Sequence, residues 1–157
     1  MTDPIHCDVH VDLPPAAAFT RFVDDLSLWW PLSYTWSGAK FSYARIEPAV
    51  GGFWGETDAE DFDWAWGEVR AYAPGQRLVL SFNIGADRQA EPPERRSEVE
   101  ISFQPDGSGT HIRLEHRDLD KHGADAAAIA RDMGERGWPL ILATFERETR
   151  RARPTAS

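Results

Sequence analysis

The middle of the chain contains six strand-like segments joined in pairs by turn sequences, and this feature most constrains the fold. The turns contain Gly51 and Gly52, then Pro74 and Gly75, and then the stretch 105–109. Glycine and proline at these places suit tight turns, which join antiparallel neighbours. The sequence therefore predicts an antiparallel sheet built from residues 42–48, 53–57, 64–72, 77–84, 97–104 and 110–116.

A further strand and two short helices precede this run. Apolar residues alternate with polar ones from Ile5 to Leu13, which is typical of a strand with one face on a core. Two prolines end it, and the second, Pro15, favours the start of a helix because its missing N–H needs no partner there. Residues 16–22 and 24–30 then have the pattern of two short helices.

The C-terminal third changes to helical periodicity. Residues 124–133 are rich in alanine, Gly134 and Gly137 interrupt the pattern, and Pro139 suits the first turn of a new helix. Hairpin-joined strands followed by an amphipathic helix predict an α+β fold rather than a parallel doubly wound sheet. The apolar stripe of the new helix recurs at spacings of three and four: Trp138, Ile141, Leu142, Phe145 and Thr149.

The composition predicts one acidic domain spanning residues 1–157. There are 17 basic and 26 acidic residues, a net charge of −9, which argues against nucleic-acid binding because phosphates need clustered Lys and Arg. No stretch is long and apolar enough to span a membrane, and the N-terminus lacks a signal-peptide pattern. A single cysteine, Cys7, excludes an internal disulfide. We therefore expect a soluble, cytoplasmic protein with no membrane partner.

An ordered set of short motifs runs along the chain. Its first half comprises Ala18-Phe19, Trp29-Trp30-Pro31, Gly51-Gly52-Phe53-Trp54 with Glu56, and Trp66-Gly67-Glu68-Val69 with Pro74 and Arg77-Leu78-Val79. Its second half comprises Glu98-Val99, Gly109-Thr110, Leu114-Glu115-His116 and Gly137-Trp138 with Leu142. This set resembles the SRPBCC superfamily (START/Bet v 1-like), and within it the group homologous to the activator of Hsp90 ATPase.

The resemblance implies a helix-grip fold with an internal cavity. In this fold a curved antiparallel sheet of about six to seven strands wraps around a long C-terminal helix, with two short helices after the first strand. The superfamily includes lipid carriers, plant hormone receptors, polyketide cyclases and aromatases, so the fold does not identify one activity.

Aromatic residues are abundant, with seven Trp, eight Phe and three Tyr. Rings offer a large apolar contact area and few rotamers to restrict, so an aromatic cavity binds apolar or aromatic molecules well. For each Trp alone, filling the core is an equally good interpretation. As a set, we interpret these residues as the ligand-binding lining: Trp30, Trp36, Trp54, Trp64, Trp66, Phe82, Phe103, His116, Trp138, Leu142 and Phe145.

His116 is the candidate polar group of this lining. It follows Ile112 and Leu114 with period two, so all three should share the inner face. Glu56 and Glu68 are its candidate partners for acid–base chemistry, and the pattern around Glu68 leaves its face open. The alternative is a structural histidine bonded to the backbone at the strand end.

The sequence predicts no metal site, no cofactor and no recognisable catalytic motif. His6 and His10 lie four residues apart on a strand, about 13 Å at the usual rise, and His111 and His116 face opposite sides. The acidic stretch 58–63 lacks the glycine and the final glutamate of a calcium loop. There is no Gly-x-Ser-x-Gly elbow, phosphate loop or dinucleotide fingerprint.

These observations favour a small-molecule binding protein whose ligand is apolar or aromatic. His116 with one carboxylate or Arg70 would orient the polar end of the ligand. Two alternatives remain: a cyclase- or hydratase-like enzyme that uses His116 with Glu56 or Glu68, and a protein-interaction module related to Hsp90 activators. A protein partner, and either a monomer or a homodimer, are compatible with the sequence.

Overall fold

The computed structural model describes residues 3–35, 37–82 and 96–151. Its strands are β1 (Ile5–Val11), β2 (Phe41–Ile46), β3 (Phe53–Asp58), β4 (Asp63–Ala73), β5 (Arg77–Phe82), β6 (Ser97–Asp106) and β7 (Gly109–Arg117). Its α-helices are α1 (Pro15–Asp24), α2 (Leu26–Trp29), α3 (Ala126–Asp132) and α4 (Trp138–Arg151). Short 3-10 turns cover Leu32–Tyr34, Gly38–Lys40 and Leu119–Asp125, and a π-helical turn covers Met133–Gly137.

The seven strands form one antiparallel sheet in the order β1-β7-β6-β5-β4-β3-β2. Neighbours from β2 to β7 are consecutive in the chain, and β1 closes the other side by pairing with β7. The sheet curls into a half barrel against the C-terminal helix, which confirms the expected α+β helix-grip fold.

The core lies between the concave face of the sheet and the helices. Val99, Ile101 and Phe103 alternate along β6 and are buried, while the residues between them are partly exposed. α4 buries Ile141 and Phe145 against this face. Removing such apolar surface from water is the main favourable term in folding, so the alternation predicted from the sequence also positions the helix.

A β-bulge in β4 interrupts the alternation of its side chains. Trp54 pairs with Gly67 and Gly55 pairs with Ala65, so Trp66 is the extra residue between the two pairs. An extra residue opposite a single partner bends the strand and changes the faces of the side chains that follow. Trp66 itself is fully buried.

A second irregularity lies further along β4, where Val69 pairs with Leu80 and Ala71 pairs with Val79. Val69 is fully buried like Trp66, although the two are three residues apart. Strict alternation would put Trp66 and Glu68 on one face of β4, and Gly67 and Val69 on the other. Neither of these two sets is the inner face along the whole strand.

The predicted interruption between the two C-terminal helices is a π-helical turn. This turn covers Met133–Gly137, and α4 follows directly at Trp138, with Pro139 in its first turn as predicted. A π turn contains more residues than an α turn. The side chains after it therefore point in other directions than they would in an uninterrupted α-helix. Met133 and Trp138, on either side of the change, are both buried.

We expect Gly67→Ala to destabilise the protein strongly. A Cβ atom at Gly67 would overlap the carbonyl oxygen of Ser81 and press against Nε1 of Trp54. The Trp54 indole N–H donates to that carbonyl oxygen at 2.8 Å, so the added methyl group would separate donor from acceptor. The free energy of unfolding, measured by urea denaturation, should fall by about 3 kcal/mol.

The matched control is Gly134→Ala in the π turn. A Cβ atom there would lie 3.6 Å from the Ile5 side chain, which is ordinary van der Waals contact. This variant should keep the wild-type stability to within about 1 kcal/mol. Equal stabilities for the two variants would contradict the close-approach role of Gly67.

Candidate functional site

A contiguous group of rings lies between the sheet and α4, and we call it the aromatic cluster: Trp30, Trp54, Trp66, Phe82, His116 and Trp138. Trp30 stacks on Trp66, with ring centroids 4.8 Å apart and planes at 27°. Trp54 meets Trp66 edge to face at 5.1 Å. Phe82 touches His116 at 4.7 Å and Trp138 at 6.4 Å. Each member is one of the residues that the sequence suggested for the ligand lining.

Two further predicted residues, Phe103 and Phe145, belong to a neighbouring group of rings. Both pack edge to face on Phe22, with centroid distances of 5.7 and 5.1 Å. Trp29 joins this group to the aromatic cluster through Trp30, at 5.6 Å. Leu142 is also buried in the core. The rings proposed to line a cavity thus touch one another, and the cavity itself stays a prediction.

Trp64, another predicted lining residue, does not join the aromatic cluster in the structure. Trp64 is 39% exposed, and its indole N–H donates to the Asp58 carboxylate at 3.0 Å. It pairs with Glu56 and so shares the face of that residue, but it lies among the first three residues of β4, which are exposed. Trp36 lies outside the described residues.

His116 is fully buried within a chain of hydrogen-bonding side chains. The Trp138 indole N–H donates to its Nδ1 at 3.0 Å, and its Nε2 lies 2.7 Å from Oγ of Ser97. Ser97 Oγ lies 2.7 Å from Nε2 of His122 as well. We call these four side chains the histidine chain.

The direction of the histidine chain follows from the chemistry of its donors. An indole N–H can only donate, so Nδ1 of His116 must accept and the proton of the neutral ring must be on Nε2. Nε2–H of His116 therefore donates to Oγ of Ser97, and the Ser97 hydroxyl in turn donates to Nε2 of His122. Burial lowers the pKa of His116 to about 3, and the neighbouring His122 adds to this effect, so the ring is neutral at neutral pH.

Glu56 is the second buried polar group of the interior. It is fully buried, and its carboxylate accepts from the Trp66 indole N–H at 2.9 Å and from the Ser37 backbone N–H at 3.0 Å. The Ser37 hydroxyl donates to it as well. Three donors on one carboxylate compensate for the loss of water around it.

The two candidate carboxylates differ in position, and neither is hydrogen-bonded to His116. Glu68 is partly exposed and forms a 3.5 Å ion pair with Arg70, which is exposed too. His116 bonds to Ser97 and Trp138 instead, through side chains rather than through the backbone contact considered above. Glu56 is therefore the interior carboxylate, and Glu68 and Arg70 lie on the outer side.

Sequence reasoning missed three polar members of the site. Ser97 has the same parity in β6 as the buried Val99 and Ile101, so extending the alternation by one step would have placed it inside. Ser37 and His122 come from 3-10 segments outside the sheet, where no alternation indicates which side chains point inward.

The outer face of the sheet has a groove of about 410 Å³, which shares no lining residue with the aromatic cluster. Its walls are largely polar, and several of its side chains pair with one another or with neighbours. His111 bonds to Asp8 at 2.6 Å, and Glu100 and Glu115 both bond to Arg117. We do not assign the site to this groove, because these contacts already satisfy much of its charge.

The described residues meet neither the geometric requirement of a metal site nor the length requirement of a membrane-spanning helix. No group of three or more His, Cys, Asp or Glu side chains there is arranged to hold a metal ion. Within the same residues, none of the helices has the length and apolar character needed to cross a membrane.

Solved structures with the same fold cover nearly all of the chain. One is the anthrahydroquino-gamma-pyrone synthase Txn09 complexed with SUM, 28% identical, with a TM-score of 0.67 over 93% of this chain and 96% of that one. An AHSA1-like protein from Rhizobium etli is 27% identical, with a TM-score of 0.60 over 94% and 81%. The self-sacrificing resistance protein CalC from Micromonospora echinospora is 23% identical, with a TM-score of 0.67 over 96% and 97%.

The comparison with protein families agrees with the fold and with the motifs. No curated protein matches the chain significantly. The family model described as Activator of Hsp90 ATPase homolog 1-like protein matches residues 12–149, which is most of the chain. The chain therefore belongs to the family of Activator of Hsp90 ATPase homolog 1-like proteins.

Proposed function

We propose that the protein binds a small apolar or aromatic molecule between the sheet and α4. The observation that carries the proposal is the aromatic cluster, which contains the fully buried His116 and is bordered by the fully buried Glu56. A mostly apolar interior with a few fixed polar groups is typical of small-molecule sites. Txn09, the 28% identical synthase described as a complex with SUM, supports the same interpretation.

The two polar groups would recognise different parts of a ligand. Glu56 is a carboxylate, so it can accept a hydrogen bond from a ligand hydroxyl or N–H. The His116–Ser97 pair presents a neutral imidazole N–H and a hydroxyl, which can orient a carbonyl or hydroxyl oxygen. Arg70 and Glu68 no longer belong to the proposal because they pair with each other on the outer side.

The first test is a titration followed by tryptophan emission, with 2-naphthol, indole and decanoic acid as probes. Saturable quenching at micromolar concentration is the expected result, because the rings of the aromatic cluster would contact the probe. Trp66→Phe should weaken binding of the probe at least fivefold, because it removes the indole edge and the N–H that positions Glu56.

Trp64→Phe is the matched control for that variant. It also removes an indole N–H that donates to a carboxylate, that of Asp58 at 3.0 Å, but Trp64 lies at the exposed start of β4. Binding should stay within twofold of the wild type. Equal effects of the two variants would contradict an interior site. A flat titration with every probe would favour a protein-interaction module, for which the exposed Leu28 and Leu32 supply apolar surface.

We also expect His116 to reduce stability in mild acid. Its pKa is about 3 in the folded protein against 6.5 ordinarily, so below 6.5 the unfolded chain binds a proton that the folded protein does not. Stability then falls as the pH falls from 6.5 towards 3. Between pH 7 and pH 5.5 this group should lower the free energy of unfolding by about 1 kcal/mol.

Urea denaturation at the two pH values measures this effect. His116→Gln removes the titrating ring. The difference in the free energy of unfolding between the two pH values should therefore be about 1 kcal/mol smaller for this variant than for the wild type. His6→Gln alters a histidine whose side chain is 67% exposed and should behave like the wild type. If His116→Gln retained the full pH dependence, a buried neutral imidazole would not be its cause.

An enzyme is the second candidate function, and the similarity to a synthase favours it. A pKa near 3 makes His116 a weak base at neutral pH. Its role would be to donate a hydrogen bond to the reacting molecule from Nε2–H, either directly or through the Ser97 hydroxyl. Mass spectrometry of bound probes after incubation tests this function. Conversion that His116→Gln abolishes without loss of binding would support it, and unchanged probes would leave binding as the proposed function.

A further inference from the structure

Trp30 differs from the rest of the aromatic cluster in the element that carries it. It follows α2 in an extended conformation, with φ −65° and ψ 130°, and belongs to neither the sheet nor α4. Its ring nevertheless lies between them, stacked on Trp66 and edge to face with Trp54 at 5.9 Å and Trp138 at 6.4 Å. It therefore fills a flat slot with aromatic walls.

The hydrogen bond of the Trp30 indole is also different. Among the six tryptophans that the structure describes, five donate their N–H to another helix or strand: Trp29 to Phe22, Trp54 to Ser81, Trp64 to Asp58, Trp66 to Glu56 and Trp138 to His116. The N–H of Trp30 donates to the carbonyl oxygen of Tyr34, four residues later in its own segment, at 3.1 Å. This bond lies within the segment itself, so it does not tie the Trp30 ring to the sheet or to α4.

The segment around Trp30 is attached to the sheet on both sides. Before it, the Ser27 hydroxyl donates to the Ala44 carbonyl oxygen and accepts from the Ala44 N–H, at 2.8 and 2.6 Å. After it, the Ser37 N–H donates to Glu56. Between these points, the backbone bonds from Trp30 to Leu26 and from Tyr34 to Pro31 are local. The ring is partly exposed, whereas Trp54, Trp66 and Trp138 are buried.

We propose that Trp30 occupies the ring position of the ligand, and that a ligand binds by displacing the Trp30 indole from the slot. This inference rests on the proposed function and specifies its ligand as a flat, fused-ring aromatic molecule about the size of indole or larger. Stacking on Trp66 with edges against Trp54 and Trp138 requires a planar group. A puckered or branched group of equal volume cannot make the same contacts.

The proposal has a consequence for affinity. A ligand that must displace Trp30 binds only the fraction of molecules whose slot is open, so its apparent affinity is reduced by that fraction. Removing the ring in Trp30→Ala should therefore tighten binding of 2-naphthol at least tenfold. The wild type should also bind 2-naphthol at least tenfold more tightly than decahydro-2-naphthol, which has the same skeleton but is not flat.

The decisive measurement is ¹⁹F NMR of protein labelled with 5-fluorotryptophan, with signals assigned from Trp→Phe variants. Saturation of the wild type with 2-naphthol should increase the sensitivity of the Trp30 signal to exchange of H₂O for D₂O, as expected for a ring that has moved further into solvent. The signals of Trp54 and Trp66 are the internal controls and should remain insensitive.

The other outcomes separate this inference from the proposed function. If 2-naphthol binds while the solvent sensitivity of the Trp30 signal stays unchanged, or if the decahydro compound binds equally well, displacement by a flat ring is wrong and the binding function stands. If only Trp30→Ala binds 2-naphthol, Trp30 is a fixed part of the core and the inference is overturned. If neither protein binds any of the probes, the proposed function falls with it.

Discussion

A tryptophan ring can be buried only where an acceptor meets its N–H, because an unpaired polar group in an apolar interior costs about 1–3 kcal/mol. In the aromatic cluster this requirement ties separate elements together. Trp54 in β3 reaches across β4 to the Ser81 carbonyl oxygen of β5, and Gly67 leaves the space for that bond. The acceptors of Trp66 and Trp138 are ionisable side chains of other strands, Glu56 and His116. The two polar groups of the proposed site are thus also the partners that allow the rings to be buried.

The general fold can be predicted from regular patterns in the sequence, whereas the site depends on local departures from these patterns. Period-two alternation and glycine-rich turns were sufficient for the sheet and for the burial of His116. They failed in β4, since the extra residue at Trp66 shifts the alternation, so that Trp66 and Val69 are both inside. No alternation extends to His122, which a 3-10 turn brings against Ser97. Bulges and turns of this kind depend on tertiary packing, so they cannot be predicted from the alternation pattern of one sequence.

The interior separates its two polar groups by chemistry as well as by position. Glu56 brings a carboxylate held by three donors, and the histidine chain brings neutral groups whose proton direction is set by the Trp138 N–H. Between them lie the stacked rings of Trp30 and Trp66. The surface charges are kept apart from this interior: Arg117 bonds to Glu98, Glu100 and Glu115 on the outer face. A ligand bound in the interior would therefore contact oriented dipoles and the Glu56 carboxylate, whereas Arg117 lies on the outer face.

The π turn fixes the rotation of α4 about its own axis. Each residue of an α-helix rotates the chain by about 100° and advances it by about 1.5 Å. A π turn completes one rotation with more residues than an α turn. If Met133–Gly137 were wound as a regular α-helix instead, the extra residue would turn α4 by about that angle relative to α3. Trp138 would then point away from His116, and the apolar stripe that ends near Phe145 would leave the sheet. The wide turn therefore accommodates an additional residue while α4 keeps its apolar side chains directed at the sheet.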